Sequence, residues 1–266
     1  MQTGTSAAVN DTASAFYARA LARLDRARIP FMIGGAFAFS YYSRIERDTK
    51  DLDVFVRPED LHRVLAVLAA CSYQTEVPFP HWLGKARCGE HFMDVIFSSG
   101  NGVARVDDIW FAHAPEVELF GVTVRISPAE EMIWSKAFVQ ERERFDGADV
   151  LHLLRALGPS LDWPRLLARF GPHWRVLLGC IVMFGYVYPD RRDRIPSFVT
   201  DELLRRLAED RTDPDDRVCY GTMLSREQYL PDLDQFGYRD ARTEPGGTMT
   251  PEEVKIWTDA ITKPAT

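Results

Sequence analysis

The feature that most constrains this chain is the stretch from Phe31 to Val56. A short apolar run, Phe31-Met32-Ile33, ends at Gly34-Gly35 and passes into the helix-compatible AFAFSYYS. After a basic link comes Asp51-Leu52-Asp53-Val54-Phe55-Val56. A strand, a glycine turn, a helix and a second strand in that order predict a sheet with helices packed on it. On a strand, successive side chains alternate, so Asp51, Asp53 and Phe55 share one face while Leu52, Val54 and Val56 share the other.

The flanking segments extend the pattern. Asp11 or Thr12 caps a helix reaching about Arg28, with Phe16, Ala20, Leu21 and Leu24 at helical spacing, while residues 1–10 read as disordered. Pro58 opens an amphipathic helix, PEDLHRVLAVLAAC. YQTEV, WLGKARC and HFMDVIF read as strands, and ELFGVTVRI reads as a hairpin closed at Gly121. From Ser127 the character changes. SPAEEMIWSKAFVQERER predicts a helix, DGADVLHLLRAL a second, and helices continue to about Glu209, punctuated by Gly158-Pro159 and Gly171-Pro172. VLLGCIVMFGYVY, too short to span a bilayer of ~30 Å, reads as a buried core helix. The remainder reads as an irregular tail ending in a short helix over MTPEEVKIWTDAI. The expected fold is therefore α+β, with a small mixed sheet flanked by helices and followed by a helical region. The expected divisions are 1–126, 127–210 and 211–266.

Composition narrows the partners. Across 266 residues the net charge is −7, with a pI near 5.4, so the chain lacks the basic footprint of a dedicated nucleic-acid binder. Cys71, Cys88, Cys180 and Cys219 are too scattered for a disulfide framework or paired zinc ligands. Neither a secretory leader nor a membrane span is expected, so the reading is a cytoplasmic protein with no membrane partner.

Two carboxylates a few ångströms apart on one strand face repel unless a cation lies between them. A hard divalent ion with oxygen ligands, Mg²⁺ first and Mn²⁺ second, relieves that repulsion and also binds phosphate. Asp94, an acid among apolar neighbours in HFMDVIF, is the expected third ligand, with Glu90 competing from the same strand face. Three carboxylates would suit two ions ~3.5–4 Å apart. Gly34-Gly35 would let backbone N–H groups at a helix start approach phosphate oxygens. His81 and His91, near Asp94 in sequence, are remote additional candidates.

The stretch IGGAFAFSYYSRIERDTKDLDVFV resembles the signature of the polymerase-beta-like nucleotidyltransferase superfamily: Gly-Gly, a helix, then Asp-x-Asp on a strand. Arg47, Thr49, Asp51 and Asp53 match the Arg-x-Thr-x-Asp-hydrophobic-Asp string of a bacterial branch that includes abortive-infection and toxin-type enzymes. The resemblance covers about residues 30–157 and leaves the later helices unassigned; the expected nucleotidyltransferase core is 1–126, with the helical region 127–210 completing its cleft. It implies Mg²⁺-dependent transfer of a nucleoside monophosphate from an NTP, ATP among them, to an unidentified small molecule, protein or tRNA, with release of pyrophosphate. Asp51, Asp53 and Asp94 would be catalytic and metal-binding. Gly34, Gly35, Arg47, Thr49 and Lys136 would bind nucleotide, with Arg144, Asp146 and Asp149 as further members. Ala36 departs from the pattern, since many relatives carry Ser there, and Ser40 or Ser43 is the expected substitute. That loss motivates a second reading, a catalytically inactive nucleotide-sensing or partner-binding module of the same fold.

Overall fold

The structure, a computed structural model, describes residues 11–211 and 215–262; the expectation of disorder at residues 1–10 lies outside them. The chain divides into two compact units, Met1–Pro128 and Ala129–Thr266.

The first unit is built on a seven-stranded mixed sheet in the order β3-β4-β5-β2-β1-β7-β6. Helix α1 (Asp11–Arg26) precedes the two-residue β1 (Met32–Ile33), then α2 (Gly35–Ser43) leads to β2 (Asp51–Phe55). A 3₁₀ turn at Pro58–Asp60 starts α3 (Leu61–Ala69), followed by β3 (Gln74–Phe79), β4 (Leu83–Cys88) and β5 (His91–Ile96). Last come α4 (Asp108–His113), β6 (Glu116–Leu119) and β7 (Val122–Ile126). The sequence reading does not mark α4, whose six residues give little periodicity; it is fixed by Asp107, whose carboxylate accepts from the N–H groups of Ile109 and Trp110. The β6–β7 hairpin turns at Phe120-Gly121, both with positive φ, as a two-residue turn requires.

Alternation along β2 sorts the two sheet faces. Leu52 and Val54 are fully buried, as are Met93 and Val95 on β5, the strand paired parallel to β2. Each large apolar side chain taken from water contributes roughly 1.5–3 kcal/mol, so this face fixes the register. Gly84 of β4 lies on the same face opposite Val95, and its missing side chain admits Leu61 of α3. The opposite face therefore collects the polar residues of the same rungs.

The second unit is mostly helical. Helices α5 (Ala129–Ala137) and α6 (Gly147–Leu157) are followed by α7 (Trp163–Phe170), α8 (Trp174–Val187) and α9 (Ser197–Glu209). The glycine-proline pairs begin 3₁₀ turns at Gly158–Ser160 and Gly171–His173. Glu131, fully buried on α5, accepts from Arg165 and Arg169 of α7, joining the two helices by charge. Beyond α9 lie β8 (Val218–Cys219), α10 (Leu230–Asp234), β9 (Arg239–Asp240) and α11 (Pro251–Asp259), with β8 and β9 paired parallel. Thr250 and Glu253 close a capping box at the start of α11.

Two expectations are corrected. The helix predicted over SPAEEMIWSKAFVQERER ends at Ala137, because the chain doubles back: Gln140 bridges to Phe145, and Asp146 N–H donates to the Val139 carbonyl at 3.0 Å. Nor is α8 buried all round. Trp174, Leu177, Ile181 and Phe184 form one buried stripe, whereas Val182, Met183, Tyr186 and Val187 are exposed. The helical run Trp163–Val187 is long and apolar enough to pass for a membrane span by length and composition, but it comprises two helices joined through the Gly171–His173 turn.

Candidate active site

Register gathers the acids. β2 and β5 run parallel with Asp53 directly opposite Asp94, while Asp51 lies two residues along on the same face. Carboxylate oxygens of Asp51, Asp53 and Asp94 all lie within 4.8 Å of one another, and all three residues are half-buried. Three hard anionic oxygens at this spacing suit a Mg²⁺-type cation. Glu90, the competing acid, is exposed in the β4–β5 turn, so Asp94 is the residue the sheet delivers.

The glycine pair is tied to this cluster. Gly34 N–H donates to the Asp53 carbonyl at 2.9 Å. Gly35 has φ +52°, and a Cβ there would fall 1.6 Å from Asp53 Oδ2, so any side chain would evict the carboxylate. At Gly34 a Cβ would strike the Phe55 ring at 2.2 Å. Gly34 is also the N-cap of α2 and supplies no side-chain cap.

Thr49 Oγ1 donates to Asp51 Oδ1 at 2.7 Å and so orients that carboxylate from within its own loop. Arg47 lies over the Phe39 ring, 4.1 Å from its centroid. The two serines expected to stand in at Ala36 lie in different surroundings. Ser40 is buried on α2 with its hydroxyl unpaired, and Ser43 accepts from Ile45 N–H at the helix end. His81 contacts the Gly100 carbonyl, and His91 packs on Phe16, which gives both histidines structural roles.

Two residues join the site that the sequence reading misses. Lys85 stands opposite Asp94 on β4, with Nζ 2.9 Å from Oδ1. Burial raises the Asp94 pKa above the ordinary carboxylate value, and the Lys85 hydrogen bond and charge oppose that rise. The signal was present in the sequence: a two-residue turn at Gly89-Glu90 pairs Cys88 with His91, and three steps out it pairs Lys85 with Asp94. Tyr17, fully buried on α1, has an unpaired hydroxyl. Its pKa is pushed up to about 12 by burial first and then by the charges of Asp51 and Asp53, so it stays a neutral donor facing an anionic cluster.

The remaining predicted residues lie in the second unit. Lys136 Nζ contacts Asp146 Oδ2 at 2.7 Å and Asp149 Oδ2 at 2.8 Å, and Arg144 clamps Asp146 through two 3.0 Å hydrogen bonds. Burial alone would raise the Asp146 pKa, but Arg144 and Lys136 outweigh it and hold the group below its ordinary value.

No family model and no curated protein matches the chain. Among solved structures, the antibiotic-resistance factor ANT(2'')-Ia is 17% identical over 64% of this chain and 97% of its own, with TM-score 0.46. The lincosamide antibiotic adenylyltransferase LnuA is 14% identical over 55% of this chain and 96% of its own, with TM-score 0.38. An antigenic nucleotidyltransferase-like protein from Paracoccidioides brasiliensis is 14% identical over 72% of this chain and 98% of its own, with TM-score 0.47. Likenesses of this size do not identify the chain, and its chemistry rests on its own side chains.

Proposed function

We propose that this chain is a Mg²⁺-dependent nucleotidyltransferase, with Mn²⁺ as a substitute ion. The observation that carries the reading is the cluster of Asp51, Asp53 and Asp94, with the Gly35 backbone pressed against the Asp53 carboxylate. In the reaction, an acceptor oxygen forms a bond to the α-phosphorus of an NTP as the bond to pyrophosphate breaks. When bound, the metal supplies positive charge to the triphosphate and the leaving pyrophosphate. Asp51, Asp53 and Asp94 would hold it, with Thr49 keeping Asp51 aligned, and the Gly34-Gly35 turn at the start of α2 would receive phosphate oxygens. Asp94 is assigned as the group that takes the acceptor proton, since burial makes it more basic than an ordinary aspartate.

The proposed catalytic core is 1–126. Lys136 as a nucleotide contact, and Arg144, Asp146 and Asp149 beside it, rest on the family resemblance alone, as does membership of the abortive-infection and toxin-type branch. The formal charge of −7 leans the acceptor away from a large RNA and towards a small molecule or protein.

A second reading, nucleotide sensing without turnover, draws on Ala36 and on the Lys85–Asp94 pair, which eases like-charge repulsion without any metal. One experiment separates the two. The protein is incubated with each radiolabelled NTP, Mg²⁺ and an acceptor panel of small molecules, proteins and tRNA, beside Asp51→Ala plus Asp53→Ala. Label transferred by the wild type alone supports the enzyme. Equal label from both proteins removes the enzyme reading, and metal-dependent nucleotide binding without label supports the sensor.

A further inference from the structure

A cavity of about 570 Å³ opens within the second unit, bounded by the end of α5, the start of α6, α8 and the segment carrying Tyr220 and Tyr229. Its volume falls in the range of small-molecule sites. Part of its lining is an aromatic row. Phe138 meets His173 edge to face at 5.4 Å between centroids, and His173 meets Tyr220 at 6.2 Å. Two further rings, Phe145 and Tyr229, each rest on a glycine: a Cβ at Gly147 would lie 2.1 Å from Phe145, and one at Gly221 2.2 Å from Tyr229. Both glycines therefore let a ring lie back against the chain.

Gly179 of α8 is the informative lining residue. Glycine inside a helix is less stable than alanine, and here neither a positive φ nor a close neighbour requires it, since a Cβ would meet nothing within 4 Å. Gly179 is itself exposed, so it lines the cavity from its open side.

The lining also lacks a free charge. Among the described residues no acidic side chain contributes to it, and Arg175 is engaged by Asp210 and lies over Trp174. Burial lowers the His173 pKa and pushes the Cys180 thiol up to about 12, so both groups are neutral at physiological pH. A charged ligand would enter unpaired at a cost, whereas an aromatic one gains ring contacts and apolar burial.

We propose that this cavity is a binding site for a neutral aromatic small molecule. All of its lining lies between Ala137 and Tyr229, in the second unit, and the proposal does not rest on nucleotidyl transfer.

The test titrates the full-length protein with the neutral fluorophore N-phenylnaphthylamine and with its anionic relative anilinonaphthalene sulfonate. Saturable single-site binding of the neutral probe is expected, with the anion weaker by about tenfold or more. Gly179→Leu fills the cavity from a position with free space, so neutral-probe affinity should fall by about tenfold or more while the unfolding temperature holds; Gly179→Ala should largely retain binding. Tyr220→Ala, at a 58% exposed residue whose loss spares the core, should weaken the probe by about threefold or more even if Gly179→Leu does not fold. Asp51→Asn plus Asp53→Asn should bind the probe like the wild type, which separates this site from the carboxylate cluster. Absence of saturable neutral-probe binding, equal affinity for both probes, or undiminished binding in folded Gly179→Leu and in Tyr220→Ala would overturn the proposal.

Discussion

The two charged clusters of this protein are built to opposite rules. In the first unit Asp51, Asp53 and Asp94 share one half-buried sheet face, where Lys85 is the cation paired directly with Asp94 and Arg87 adds a more distant positive charge. In the second, Asp146 and Asp149 are met by Lys136 and Arg144, so acids and bases balance. A balanced cluster satisfies itself and stiffens the fold; an acid-rich one is costly until a cation arrives. Charge balance, more than acid content, marks the first cluster as the candidate metal site.

The largest effect expected from breaking this contrast is on activity. Asp51→Asn plus Asp53→Asn should cut label transfer by about 10³-fold, on the scale of losing a main electrostatic element, while thermal unfolding shows the metal-free protein unharmed or more stable. Loss of stability comparable to the loss of activity would show that the acids are structural. The balanced cluster should respond the other way: Lys136→Met removes the cation shared by two buried carboxylates and should cost about 3 kcal/mol, read by denaturant unfolding. A smaller change would mean that Arg144 alone suffices.

Gly35→Ala tests the link between turn and acid. Displacing Asp53 Oδ2 should weaken Mg²⁺ binding about tenfold by calorimetry, and stability should fall by about 1 kcal/mol for the positive φ. Lys85→Met should make the metal-free protein less stable by about 1 kcal/mol and Mg²⁺ binding a few-fold tighter, because the competing cation is gone.

The smallest effect is in pH dependence, where the two clusters should differ in sign. The Asp146 pKa is depressed, so its contribution is present above the unfolded carboxylate pKa of about 3.9 and is lost as pH falls through the lower folded value. The Asp94 pKa is raised, so its penalty at neutral pH is relieved as pH falls through the higher folded value. Urea unfolding between neutral and acid pH should therefore show Asp146→Asn removing an acid loss of stability and Asp94→Asn removing an acid gain. The same sign for both would contradict the contrast.

Much of the first cluster was legible because strand alternation and one turn suffice to write it down. Asp51 and Asp53 share a face by periodicity alone, and HFMDVIF marks Asp94 by its apolar neighbours. Lys85 is missed because its role depends on hairpin register, a relation between segments rather than within one. Tyr17 is missed because its position on α1 reads as core, and nothing local reveals that the core there borders two carboxylates. In the second unit, helical spacing finds the helices but not where α5 stops, since that end is set by Asp146 drawing Lys136 and Arg144 together. The exposed side of α8 is hidden in sequence because apolar residues occur all round it.

The contact between Gly35 and Asp53 also makes the turn an indicator. One glycine amide is bonded to the Asp53 backbone, and the next residue lies against its carboxylate, so whatever neutralises that acid must alter the magnetic environment of both. Their resonances would form a native gauge for occupancy, reading cation arrival without a label, a substrate or a turnover.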